Sequence, residues 1–154
     1  MEFSRRDMAL LLSALGASEL GFGQEQKPGS PPKPAENAVL EGKIYHVDSM
    51  PWRNSTSGVS KSRALFNGFT TRGQHLTMHM TELAPGQAPH PAARQPHEEI
   101  LILRQGTVEC TINGEKATLE AGAVVYSAYN DLKDWKNAGS DPAVYYVISL
   151  EEHK

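Results

Sequence analysis

Six residues in the second half of this 154-residue chain have the side chains for acid–base or metal chemistry at close spacing: His90, Gln95, His97, Glu98, Glu99 and, further on, Lys133. An imidazole and a carboxylate two residues apart suit proton transfer, and both are metal-binding groups. If the backbone from Gln95 to Glu99 is extended, Gln95, His97 and Glu99 share one face, because strand side chains alternate. His90 sits at the far end of a Pro-containing loop and can fold back toward them. Trp135 offers a stacking surface and Tyr126 a hydroxyl beside such a site.

The elements that must position these groups are short strands. After residue 40 the chain reads as β-type runs broken by turns. Gly42–Asp48 is a candidate first strand, and Ser49–Arg63 reads as a polar loop. Arg63–Thr70 and Gln74–Leu83 read as strands. In the second of these, Leu76, Met78 and Met80 form the expected core face, and His75, Thr77 and His79 the expected solvated row. Glu98–Gly106 is a nearly continuous apolar strand. Thr107–Glu120 is a hairpin about Asn113-Gly114, a tight-turn pair, with Val108, Cys110 and Ile112 alternating before it. Ala121–Ala128 and Ala143–Leu150 are further strands. Many short strands with turn signals between them define an all-β sandwich or barrel.

Composition bounds the function. The chain is 39% hydrophobic and 21% charged, with a net charge of −3, and its pI is near 6.1. One globular domain and no nucleic-acid partner are expected. Cys110 is the only cysteine, so no internal disulfide and no multi-cysteine zinc site can form. Residues 1–23 carry Arg5-Arg6, then a short apolar run from Met8 to Ala17, then Gly21 and Gly23 before Gln24. This pattern reads as an export signal of twin-arginine type. The run is shorter than the roughly 20 residues that cross a bilayer. The mature protein is therefore expected in the periplasm or outside the cell, without a membrane partner. Residues 24–40 are rich in Pro, Lys and Glu and read as a flexible tether. The folded domain is expected over 41–154.

The stretch from Gly86 to Asn137 resembles the two motifs of the cupin superfamily. Pro85-Gly86 opens the first, and Glu99 is followed by six residues and then Gly106. In the second, Gly114 is followed by five residues, then Glu120-Ala121-Gly122, and Asn137 closes it. The resemblance covers about residues 40 to 150. It implies a cupin-type jelly-roll β-barrel with a pocket at one end, often as a homodimer. The superfamily's His-x-His falls here on Ala93 and Gln95, and its second-motif histidine on Lys133. Of its three histidines and one carboxylate, only Glu99 remains.

Three readings of the pocket follow. In the first, His90, His97 and Glu99, with the Gln95 amide and with His79 if it reaches the interior from the preceding strand, form a rearranged site for Mn, Fe, Zn or Ni, and the protein is a metal-dependent oxygenase or isomerase. In the second, no metal binds, Lys133 takes the cation's place beside Glu99, and Gln95, His97, Tyr126 and Trp135 face a small ligand. In the third, Glu99 is a general base, His97 a general acid and Lys133 an electrostatic anchor in metal-free catalysis. The expectation carried forward is a small-molecule pocket without metal, used for binding or for a reaction unusual for the superfamily. The metal-dependent enzyme is the alternative.

Overall fold

The structure, a computed structural model, describes residues 38–152. Residues 1–23, expected to be an export signal, and most of 24–40, expected to be a tether, lie outside the described residues. One turn of 3-10 helix, Val47–Ser49, precedes ten strands. These are β1 (Arg53–Asn54), β2 (Ser60–Phe69), β3 (His75–Leu83), β4 (Ala93–Arg94) and β5 (Glu98–Gln105), then β6 (Thr107–Ile112), β7 (Glu115–Glu120), β8 (Val124–Ser127), β9 (Leu132–Asn137) and β10 (Ala143–Glu151).

The strands form two antiparallel sheets. One has the order β1-β2-β3-β10-β5-β8 and the other β4-β9-β6-β7. They face each other as a jelly roll, the expected all-β architecture. Hydrogen bonds do not close the two sheets into one barrel wall.

Alternation decides what the fold encloses. On β5, Glu99, Leu101 and Leu103 are buried, and Ile100 is more than a third exposed. On β10, Ala143, Tyr145, Val147 and Ser149 are buried in the same rhythm. Leu83, Leu103 and Val108 are almost wholly removed from water, and the rings of Trp135 and Tyr145 meet edge to face at 5.2 Å. The Asn113-Gly114 turn has φ of 51° and 91°. That is the left-handed pair a two-residue hairpin needs, and it joins β6 to β7 as the sequence predicts. Asn137 is fully buried and ties three segments together: its amide donates to Leu83 O and Asp141 O at 3.0 and 2.9 Å, and its oxygen accepts from Gly139 N.

Three expectations are corrected. Gly42–Asp48 is not a strand. The two-residue β1 pairs with β2 instead (Arg53 with Ser62), and Tyr45 packs its ring on Phe66 at 5.4 Å. On β3 the faces are reversed: His79 and Thr81 point into the barrel with Leu83, while Met80 is buried on the opposite side, 3.8 Å from the Arg104 guanidinium. An interior that is polar at one end inverts the usual rule that the apolar row faces inward. The expected polar loop Ser49–Arg63 holds β1 and the start of β2, and the stretch around Lys133, to which no strand was assigned, forms β9, paired to β4 and β6.

Residues 38–40, grouped with the tether by composition, lie against the end of β2. Leu40 N donates to Phe69 O and Phe69 N to Ala38 O. Gly68 permits this approach, since a Cβ there would sit 2.4 Å from Ala38 O.

Candidate active site

Between the sheets lies a cavity of about 410 Å³, a size suited to a small organic molecule. Five strands supply its polar groups: β2 brings Ser60 and Ser62, β3 His79 and Thr81, β5 Glu99, β9 Lys133 and Trp135, and β10 Tyr145 and Ser149. The segment leading into β5 adds His90, Gln95 and His97. Gln95, His97 and Glu99 all line the cavity, but not as one extended face: the backbone bends at Pro96 and His97, between β4 and β5.

At its floor Lys133 Nζ donates to Glu99 Oε1. Residue 133 is 3% exposed and residue 99 is 9% exposed. A carboxylate so far from water requires a partner, because an isolated buried charge is costly. Register explains the meeting: Lys133 faces Ala93 on β4 and Ile112 on β6, whose apolar side chains leave the ammonium to reach across to β5. The second carboxylate oxygen of Glu99, Oε2, lies 3.4 Å from His97 Nε2.

Burial lowers the pKa of His79 below that of an ordinary histidine, the Glu99 charge opposing the shift, and so favours a neutral imidazole. Burial, reinforced by Glu99, pushes the Tyr145 hydroxyl well above the usual tyrosine range, while Trp135 and Thr81 nearby act the other way. The Trp135 indole N–H is near that hydroxyl but outside hydrogen-bonding geometry, and it has no partner among the described residues. Such an orphaned donor on a cavity wall suits a ligand oxygen.

Two sequence-based assignments need revision. Tyr126 is not a pocket wall. It is 56% exposed, lies opposite Ile100 on the outer face and interacts with Glu98; its inward neighbour is Ser127, 2% exposed. His90 lines the cavity mouth but is itself exposed, with Nδ1 2.8 Å from Pro91 O. Tyr145 supplies the hydroxyl that Tyr126 was expected to offer. Its signal was available in Ala143-Val144-Tyr145-Tyr146-Val147, where only one of two adjacent tyrosines can face inward.

The superfamily's cation does not fit this set of side chains. Its three histidine positions hold Ala93, Gln95 and Lys133, and the last brings an ammonium onto the one remaining carboxylate. Among the described residues no three His, Cys, Asp or Glu side chains converge as metal ligands.

The sequence matches the cupin domain family over residues 79–149. A comparison with curated proteins gave no match. Among solved structures, a predicted oxalate decarboxylase from Thermotoga maritima superposes with a TM-score of 0.60 at 12% identity, covering 71% of this chain and 99% of the other. A sugar phosphate isomerase of the cupin superfamily from Silicibacter pomeroyi gives 0.56 at 14%, covering 71% and 76%. The polyketide cyclase RemF from Streptomyces resistomycificus gives 0.57 at 13%, covering 73% and 81%. At such identities these likenesses establish the fold.

Proposed function

We propose that this chain, which matches the cupin domain family over residues 79–149, binds a small, polar, uncharged organic molecule in its barrel, with the ammonium of Lys133 in the place of a bound cation. The Lys133–Glu99 pair at the floor of the cavity carries this reading. Lys133 and Glu99 offset each other's charge, and His79 favours its neutral form. What remains to meet a ligand is a set of hydroxyls, an amide, the imidazoles of His90 and His97, and the unpaired Trp135 N–H. Hydroxyl and carbonyl oxygens are the groups that such a lining recognises.

The same groups support a metal-free proton transfer of isomerase or lyase type. Lys133 fixes the Glu99 carboxylate in one orientation, leaving Oε2 to take a proton from a bound ligand. His97, against that same oxygen, is placed to return it. The Trp135 N–H and the Tyr145 hydroxyl are placed to steady an oxygen on which negative charge develops. Residues 4–23 support export to the periplasm or beyond. The exposed outer-face side chains of Ile100, Val124 and Tyr126 support pairing of two copies.

The test is a thermal-shift and calorimetric screen of chelator-treated protein against neutral polyols, sugars and small hydroxyketones. Binding should be found in the presence of chelator and fall about tenfold in Trp135→Phe, the loss of one hydrogen bond to the ligand. If binding appears only after a divalent metal is added, the proposal is wrong.

A further inference from the structure

Past Glu99 the row of acidic and imidazole groups does not end at the cavity wall. His97 places Nε2 3.4 Å from Glu99 Oε2 and Nδ1 3.8 Å from Glu151 Oε1. The other oxygen of Glu151 lies 3.3 Å from His75 Nδ1, and His75 Nε2 lies 2.7 Å from Asn67 Oδ1. Carboxylate and imidazole therefore alternate from β5 across β10 to β3, each using both of its polar atoms. Strand register builds this row. Glu151 on β10 is paired with His75 on β3. On its other side it follows Leu150, which pairs with Glu98, so the next position faces His97.

Exposure rises along the same path. The side chain of Lys133 is 3% exposed, Glu99 11%, His97 16% and Glu151 45%. His97 is also the residue common to the inner cavity and to an outer groove of about 700 Å³, which Glu98, Tyr129 and Glu151 help to line. A single imidazole thus separates a buried carboxylate from a solvent-facing one, with one ring nitrogen toward each.

We infer that Glu151, with His75 behind it, is the outer port of a proton path that reaches Glu99 through His97. Protons move without net chemistry on the relay. Glu151, protonated from solvent, gives its proton to Nδ1, through one water or as the 3.8 Å contact closes to hydrogen-bonding distance, and Nε2 gives its own to Glu99 Oε2. The imidazole ends uncharged in its other tautomer, and the reverse hop or a turn of the ring resets it. A neutral imidazole can do this because one nitrogen donates while the other accepts. The path lets Glu99 exchange its proton while a ligand fills the cavity. In that respect the inference rests on the proton-transfer reading above. Glu151 acts through His97 and is a positioning and relay residue, not a catalytic one.

The test needs neither ligand nor turnover. Protein labelled with ¹⁵N-histidine is examined at fixed neutral pH by NMR, and exchange of the His97 ring N–H with water is measured. The wild type is compared with Glu151→Gln and Glu151→Asp. A contact with only a structural role shields the ring N–H while it lasts, so its loss in Glu151→Gln would speed exchange. A relay does the opposite: Glu151→Gln slows it about tenfold or more, and Glu151→Asp restores it in part. Unchanged or faster exchange in Glu151→Gln, with the fold intact by backbone spectra, overturns the inference. Failure of the binding screen leaves this result unaffected, so the two proposals fall separately.

Discussion

Lys133 Nζ on β9 donates to Glu99 Oε1 on β5, joining the two sheets across the floor of the barrel cavity. The carboxylate belongs to the superfamily pattern and the ammonium does not. What the pair contributes depends on keeping both halves.

Removing one half leaves the other buried and unpaired. Lys133→Met should destabilise the fold by about 3–5 kcal/mol, whereas Lys133→Met combined with Glu99→Gln should cost little or raise stability. Urea unfolding of the two single variants and the double variant measures this. Equal losses for the single and double variants would contradict the account.

His79 gives a pH dependence with a definite sign. Its folded pKa is depressed by burial, so the unfolded chain takes up this proton first as pH falls. Its effect on stability is absent well above about pH 6.5, the ordinary histidine value. Stability is then lost from that value down to the folded pKa. Urea midpoints at pH 7.5 and 5.5 should differ more for the wild type than for His79→Gln. An equal or larger drop in the variant would show that His79 is not buried in its neutral form.

Gly106 has φ of 89°, and a Cβ there would lie 2.9 Å from Ala143 Cα. Both the left-handed backbone and the contact with β10 exclude a side chain. Gly106→Ala should cost about 1–3 kcal/mol by thermal or urea unfolding. Gly58→Ala, where nothing lies within 4 Å, retains only the backbone cost of a positive φ and should lose less. Equal losses at the two sites would remove the steric part of the argument.

How much of this was legible beforehand depended on which physical signal carried it. The Asn113-Gly114 hairpin announced itself by turn chemistry and alternation, and the β5 strand by its nearly continuous apolar run. Alternation pointed to Gln95, His97 and Glu99 as neighbours, but it is a bend at Pro96-His97, not an extended strand, that turns all three toward the cavity. The reversed faces of β3 did not. Periodicity shows that Met78 and Met80 oppose His79 and Thr81, but not which row looks inward when the interior is itself polar. β9 was hidden for a similar reason: Leu132-Lys133-Asp134-Trp135-Lys136-Asn137 alternates, yet its inward row holds a lysine and an asparagine, residues rarely buried. Tyr126 was misplaced because a strand of four residues gives no phase without its partner. Glu151 drew no notice, since only register brings it between His75 and His97.

The central claim is that an internal ammonium stands where the superfamily places a cation. Elemental mass spectrometry tests it most directly. The protein is purified without chelator or histidine tag, incubated with Mn, Fe, Zn and Ni, desalted, and compared with a His97→Ala, Glu99→Ala double variant. The account predicts metal far below one equivalent in the wild type and no difference between the two proteins. Near-stoichiometric metal in the wild type, lost in the double variant, would contradict it and restore the rearranged metal site of His90, His97 and Glu99.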